Sequence, residues 1–271
     1  MNPLAKDATA QSKQMTRRRF YAPPAAFASD RKSVTLSSEE TRHARSVLRL
    51  RPDDEVYVFD GSGHEFKCTV EAIAKDSTKL RVLAEVKVTR PESPLNLTLA
   101  IALLKGEKFD FVVQKTTELG ANVIVPLETE RAEPRLRNPD DSHKHVARWQ
   151  RIAREAAKQS GRASVPEIRE PVRLGPLLKM SAIGDQTAPV TRLIFTERGG
   201  NSFAEAVQTL PVRPLRIIAI IGPEGGWSDQ EIELARESGW HTVSLGGRTL
   251  RAETAAIAIV SLLQHRFGDL V

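Results

Sequence analysis

The chain has 271 residues, enough for about two domains at roughly 150 residues each. Apolar residues make up 40%, which excludes global disorder, and 40 Lys and Arg against 34 Asp and Glu leave a net charge of +6, a balance that suits a polyanionic partner without requiring one. The single cysteine, Cys68, excludes an internal disulfide and a cysteine-based zinc site, and no run approaches the ~18 apolar residues of a membrane helix.

In chain order, residues 1–14 are polar with no apolar h-region, so they read as a disordered extension rather than a signal peptide, and folding is expected from Met15. A lone cysteine fits a reducing compartment, so the cytoplasm is the expected location. From Phe20 to Val88 the pattern is mostly β with one helix. Ser37 is placed to cap a helix through SSEETRHARSVLRL, with Glu39 and Glu40 in its first turn. EVYVF, the turn DGSG and EFKCTVEAI read as strand, turn, strand, and KLRVLAEVKV as a further strand. Cys68 lies in that alternation and is expected to be a buried thiol. Short strands around one helix suggest a small barrel, and residues 89–94, TRPESP, a linker.

From Leu95 strands and helices alternate. LNLTLAIALL is an apolar strand. GEKFDFVVQKTTELG carries Phe109, Val112, Val113, Thr116 and Leu119 at helical spacing, with Gly120 closing the helix. NVIVPL follows, and a strand–helix–strand unit of this length implies parallel pairing. HKHVARWQRIAREAAKQSG is a longer helix with Val146, Trp149, Ile152, Ala153 and Ala156 on one face. Strands at TRLIF, LRIIAII and HTVSL and a last helix through ETAAIAIVSLLQHRF complete an α/β domain.

Chemistry concentrates in residues 217–260. A buried strand runs into Gly222, Pro223, Glu224, Gly225 and Gly226, and Ser228 then opens a helix with Glu231 three residues on, a capping box. Glycines at a strand-to-helix turn let backbone approach a ligand closely, and amides at the helix start can hold an anion. A second turn, Leu245-Gly246-Gly247-Arg248, ends the next strand. Two such turns at neighbouring parallel strands form the crevice where open α/β sheets bind ligands. The turn is neither a Walker loop nor a G-x-G-x-x-G fingerprint. On the residues alone, a small-molecule pocket and two ordinary turns both remain open.

These residues also resemble a known family. RRRFY, HARSVLRL and VFDGSG, then LLKGEKFDFVVQKTTELG, NVIVPLETERA and RWQRIAREAAKQSGR, and finally IGPEGGWSDQE and SLGGRTLRAETAA resemble the RsmE family, the 16S ribosomal RNA (uridine N3) methyltransferases of the SPOUT superfamily. Trp227 stands where Phe is more usual. The resemblance implies a PUA-like RNA-binding barrel over residues 15–90 and a methyltransferase domain tied in a trefoil knot over 91–271. It further implies a homodimer, S-adenosylmethionine as cofactor and 16S rRNA of the small ribosomal subunit as partner, with no metal and no membrane. Mapped by motif, the cofactor-binding residues are Gly222, Pro223, Glu224, Gly225 and Gly226, then Leu245, Gly246, Leu250, Arg251 and Thr254, with Phe195, Thr196 and Glu197 as a third wall.

Methyl transfer to a uridine N3 requires loss of the N3 proton, and a cation near the base favours the resulting anion. Arg251 is the expected catalytic cation. Glu253 is an expected catalytic carboxylate, as base or as holder of Arg251, and is equally readable as a helix-start carboxylate; Glu224 shares the ambiguity as base or turn residue. Trp227 is either a stacking platform or packing. Arg17, Arg18 and Arg19 are expected to touch RNA. Arg131, Arg135 and Arg137 in a loop, and Arg148, Arg151, Arg154, Lys158 and Arg162 along the long helix, are either phosphate contacts or a solvated face. His143 and His145 read as surface residues. Two other classes stay open: a non-catalytic RNA-binding protein on the same scaffold, and an enzyme that uses another adenosine-containing ligand.

Overall fold

The computed structural model describes residues 17–133, 138–179, 189–210 and 216–271. The chain divides after Glu92 into two packed units, and Ala157–Val165 groups with the first.

The first unit holds β1 (Arg19–Tyr21), β2 (Ser33–Leu36), α1 (Ser38–Arg42), β3 (Glu55–Phe59), β4 (Glu65–Ile73) and β5 (Thr78–Val86). Its sheet runs β1-β3-β4-β5-β2. β1 pairs with β3 in parallel, and the other pairings are antiparallel. Register shifts at Lys67/Cys68 and Val70/Ala72 bend β4 and β5 over a core of Phe20, Val34, Val56, Val58, Phe66 and Leu80. Cys68 is fully buried there, and burial pushes its thiol up to about 12.

The helix foreseen after Ser37 is shorter than its sequence suggests. Ser37 Oγ accepts from the Glu40 amide as expected, but the α-helix ends at Arg42 and His43–Val47 forms a single π-helical turn. Arg49 then adopts φ 51°, and the Leu50 amide reaches back to the Ala44 carbonyl at 3.0 Å. The cause is burial. Ala44 and Leu50 both enter the core, yet at 100° per residue they lie about 120° apart on a straight helix. The π turn and the left-handed Arg49 bring both into it.

The second unit holds β6 (Asn96–Ala102), α2 (Lys108–Glu118), β7 (Val123–Glu128), α3 (Pro139–Ser160), β8 (Glu167–Ile168), β9 (Val172–Arg173), α4 (Leu174–Lys179), β10 (Thr191–Phe195), β11 (Asn201–Ser202), α5 (Phe203–Thr209), β12 (Arg216–Ile221), α6 (Asp229–Glu237), β13 (His241–Ser244) and α7 (Ala252–Phe267). The strands form one sheet in the order β11-β13-β10-β12-β6-β7-β8, with β9 also on β7, and every pairing is parallel. All six residues of β12 are buried, as expected of a strand covered on both faces. Ile218 and Ile220 pack with Leu177 of α4, Ala235 of α6 and Trp240. The intervening residues face the opposite way, and α7 packs against β12 and α2.

Gln264, fully buried in α7, fastens that helix. It accepts from Ser93 Oγ at 2.6 Å and donates to the Gly120 carbonyl at 3.1 Å. Gly120 is the foreseen end of α2, at φ 91°, and a Cβ there would lie 2.6 Å from Gln264 Nε2. Among the described residues no helix is long and apolar enough to cross a membrane, and no group of His, Cys, Asp and Glu could hold a metal ion.

Candidate active site

Three neighbouring parallel strands, β13, β10 and β12, end on the same edge of the second unit's sheet. Chain order differs from spatial order there. The chain leaves β12, forms α6 and returns as β13 on the far side of β10. The segments that follow these strands enclose a cavity of about 530 Å³, within the range of small-molecule sites. One wall is Phe195–Arg198, the second Ile221–Gly226, the third Leu245–Gly246 and Arg248–Ala252, closed by Ala255 and Ile259 of α7 and by Lys108 of α2.

The glycine-rich wall owes its path to fixed contacts. The Gly226 amide bonds to the Pro223 carbonyl at 3.0 Å, and Gly226 sits at φ 70°. A Cβ on Gly226 would stand 2.1 Å from Glu197 Oε1, and one on Gly222 would stand 2.8 Å from the Trp227 indole. Trp227 is buried, and its Nε1 donates to the Phe195 carbonyl at 2.8 Å. It therefore ties the end of β12 to the end of β10 and is a packing residue, not a stacking platform. The Ser228–Glu231 capping box is complete. Arg131, foreseen as a phosphate contact or a solvated residue, instead donates to the carbonyls of Gly225 at 3.3 Å and Trp227 at 3.2 Å. On the neighbouring wall the Thr196 amide bonds to the Val243 carbonyl at 2.9 Å, fastening β10 to β13.

Of the residues expected to bind cofactor, Phe195, Thr196, Glu197, Gly222 to Gly226, Leu245, Gly246, Leu250 and Arg251 all line the cavity; Thr254 does not. Arg251 is exposed and is the N-cap of α7, with no side-chain cap of its own. Glu253 is half-buried, lies outside the lining, and has its Oε2 buried without a hydrogen-bond partner among the described residues. Glu224 lines the cavity and pairs with Lys108 Nζ. Lys108 is a cation that sequence reasoning missed: it belongs to α2, more than 100 residues before the glycine turns, and no local spacing connects them. Arg198 and Arg248 are further lining cations.

The arginines foreseen as RNA contacts divide. Arg19 donates to Glu65 at 2.7 Å and to the carbonyls of Lys158 and Arg162 at 3.1 and 3.0 Å, with its side chain 11% exposed. Arg17 pairs with Glu65 at 3.3 Å and lies over the Tyr57 ring. Arg18, 46% exposed, pairs with Asp54 at 3.5 Å. On α3 and just beyond it, Lys158 is bound to buried Glu40, Arg162 to Glu92 and Arg148 to Asp110. Arg135 and Arg137 lie outside the described residues. His143 and His145 are exposed, as foreseen.

A family model described as an RNA methyltransferase domain matches residues 91–264, and one described as an RNA methyltransferase PUA domain matches residues 36–83. A ribosomal RNA small subunit methyltransferase E from Synechocystis sp. is 38% identical over 223 residues, covering 82% of this chain and 70% of that protein. The chain belongs to the ribosomal RNA small subunit methyltransferase E family. A Bacillus subtilis member is 30% identical over 234 residues, covering 86% of this chain and 90% of its own. A crystal structure of the Neisseria gonorrhoeae member bound to S-adenosylmethionine shares 32% identity and superposes with a TM-score of 0.80 over 94% of this chain and 100% of that one. A Legionella pneumophila protein solved with the same cofactor gives 35% identity, a TM-score of 0.82 and the same coverage.

The cavity suits that cofactor on its own features. Glycines at 222 and 226 leave space that a Cβ would take. Apolar Phe195, Ile221, Leu250 and Ile259 offer a surface for an adenine, Glu197 and Glu224 offer carboxylates to a cationic ligand, and the free amides of the α7 start offer donors to a carboxylate.

Proposed function

We infer that this chain is an S-adenosylmethionine-dependent methyltransferase of small-subunit ribosomal RNA, and that the methyl acceptor is N3 of one uridine in 16S rRNA. The observation that carries the reading is the glycine-walled cavity at the ends of β10, β12 and β13, inside the segment matched by the RNA methyltransferase domain. S-adenosylmethionine supplies an electrophilic methyl group and needs no metal. The protein's part is to hold the base in line and manage its proton, since neutral N3 carries a hydrogen.

Arg251 is assigned the cation that favours the deprotonated base, standing between a ligand wall and the start of α7. Glu224, on the cavity wall and oriented by Lys108, is assigned acceptance of the N3 proton. Glu253 is assigned a positioning role, because its buried Oε2 lacks a donor that Arg251, two residues earlier, can provide when a base is bound. Residues 15–90 are read as a PUA-like RNA-binding barrel and 91–271 as a SPOUT domain. The return of the chain from β12 across β10 to β13, followed by α7, is the path we read as a trefoil knot. The active form is read as a cytoplasmic homodimer.

The test is incubation of the protein with labelled cofactor and small subunits from cells that lack the modification, followed by mass spectrometry of the nucleosides. Label at N3 of one uridine is expected, and cofactor binding without label in any rRNA overturns the reading. In the same assay Arg251→Ala lowers turnover by roughly 100-fold with a far smaller effect on cofactor affinity. A loss confined to cofactor affinity removes Arg251 from the chemistry.

A further inference from the structure

Most arginines of the first unit that looked available in sequence are consumed by it: Arg17 and Arg19 by Glu65, and Arg162 by Glu92. The corner between α1 and β3 is different. From Thr41 to Pro52 the chain carries Arg42, Arg45, Arg49 and Arg51 and no acidic residue. All four are exposed, and among the described residues none has a carboxylate within ion-pair distance of its side chain. Thr41, Ala44 and Leu50 take the inward positions, which leaves the arginines on the outer side together with Val47, an apolar residue 65% exposed.

The backbone here is also unusual. A π-helical turn is rare and costly in isolation, and a non-glycine residue at positive φ is strained. The corner has both, in His43–Val47 and in Arg49 at φ 51°. Along this path Ala44 and Leu50 are buried while the arginines are exposed. Unpaired guanidiniums at this density repel one another unless an anion separates them.

We propose that the outer face of Arg42–Arg51 is a docking surface for the phosphate backbone of structured RNA. The inference rests on the reading of the chain as an RNA-acting enzyme, and it places RNA contact on this corner rather than on the Arg17–Arg19 run. Four planar donors around one exposed apolar side chain fit a chain of phosphates with a sugar or base face between them. Such contact positions the substrate and carries no sequence information.

The test uses Arg42→Gln/Arg45→Gln/Arg49→Asn, in which Asn tolerates the left-handed backbone at position 49. Binding to a small-subunit rRNA fragment is followed by fluorescence anisotropy across a salt series, with cofactor affinity by calorimetry in parallel. The slope of log affinity against log salt is expected to flatten by roughly 2–3, about 0.9 for each phosphate that the variant no longer neutralises. Cofactor affinity should hold, and KM for RNA should rise with kcat nearly unchanged. Arg42→Lys/Arg45→Lys, which keeps the charge, should retain most of the slope. An unchanged slope in the folded triple variant, with wild-type methylation intact, overturns the docking surface and leaves the enzyme reading standing. Wild-type protein that binds anionic vesicles but no RNA overturns both.

Discussion

A side chain at position 226 would be strained twice over. Gly226 sits at φ 70°, and a Cβ there would stand 2.1 Å from a Glu197 carboxylate oxygen; the backbone penalty alone is about 1–2 kcal/mol. Gly226→Ala should therefore displace Glu197 from the cavity wall and weaken S-adenosylmethionine binding by at least roughly 10-fold. Calorimetry on the folded variant checks this, and unaltered affinity would mean that neither Glu197 nor this wall touches the ligand. At this scale the glycine turn was legible as a place where backbone can approach a ligand, although the residues alone equally allowed an ordinary turn. The arginines were not. Arg17, Arg18 and Arg19 are adjacent and chemically identical in sequence, yet tertiary contacts pair two with buried Glu65 and the third with Asp54. Burial of a charged group depends on which carboxylate the fold delivers, here Glu65, almost 50 residues away.

Among elements, the turn joining β3 and β4 makes a separable contribution. Asp60 is 4% exposed. Burial raises its carboxyl, but hydrogen bonds from the Ser62 hydroxyl and amide and from the His64 amide and ring outweigh it, and the group titrates below its ordinary 3.8. A carboxyl lowered by folding stabilises fully above its unfolded value and loses that contribution as pH falls through the lower folded one. Asp60→Asn should cost about 1–2 kcal/mol at pH 7, and urea unfolding should show the gap to wild type narrowing below about pH 4. A gap independent of pH would assign the loss to shape rather than charge.

Elements with clear period were readable in advance. EVYVF and EFKCTVEAI coincide with β3 and β4, and TRLIF with β10. β1, β8, β9 and β11, at two or three residues, are too short to show alternation and exist because a neighbouring strand offers partners. The α1 corner defeated the pattern because its buried residues do not share one helical face.

At the scale of the molecule, α7 is apolar around most of its circumference. Its buried side includes Ala256, Ile259, Val260 and Leu263, while Ala258 is half-buried and Leu262 is 37% exposed. Such a helix calls for a second covering surface. If a second copy provides it, Leu262→Glu should convert a dimer to a monomer in sedimentation velocity and lower the melting temperature. A variant that keeps the wild-type mass would move the subunit contact off this helix.

The cavity walls arise late in the chain. The third wall and the helix residues behind it, Leu245 to Ile259, come after every strand of the sheet in chain order. Chains emerge from the ribosome N-terminus first, and earlier segments fold ahead of later ones. The ligand chamber is consequently completed after the strands of its sheet, and a chain cut short before Leu245 would keep those strands yet lack a closed chamber.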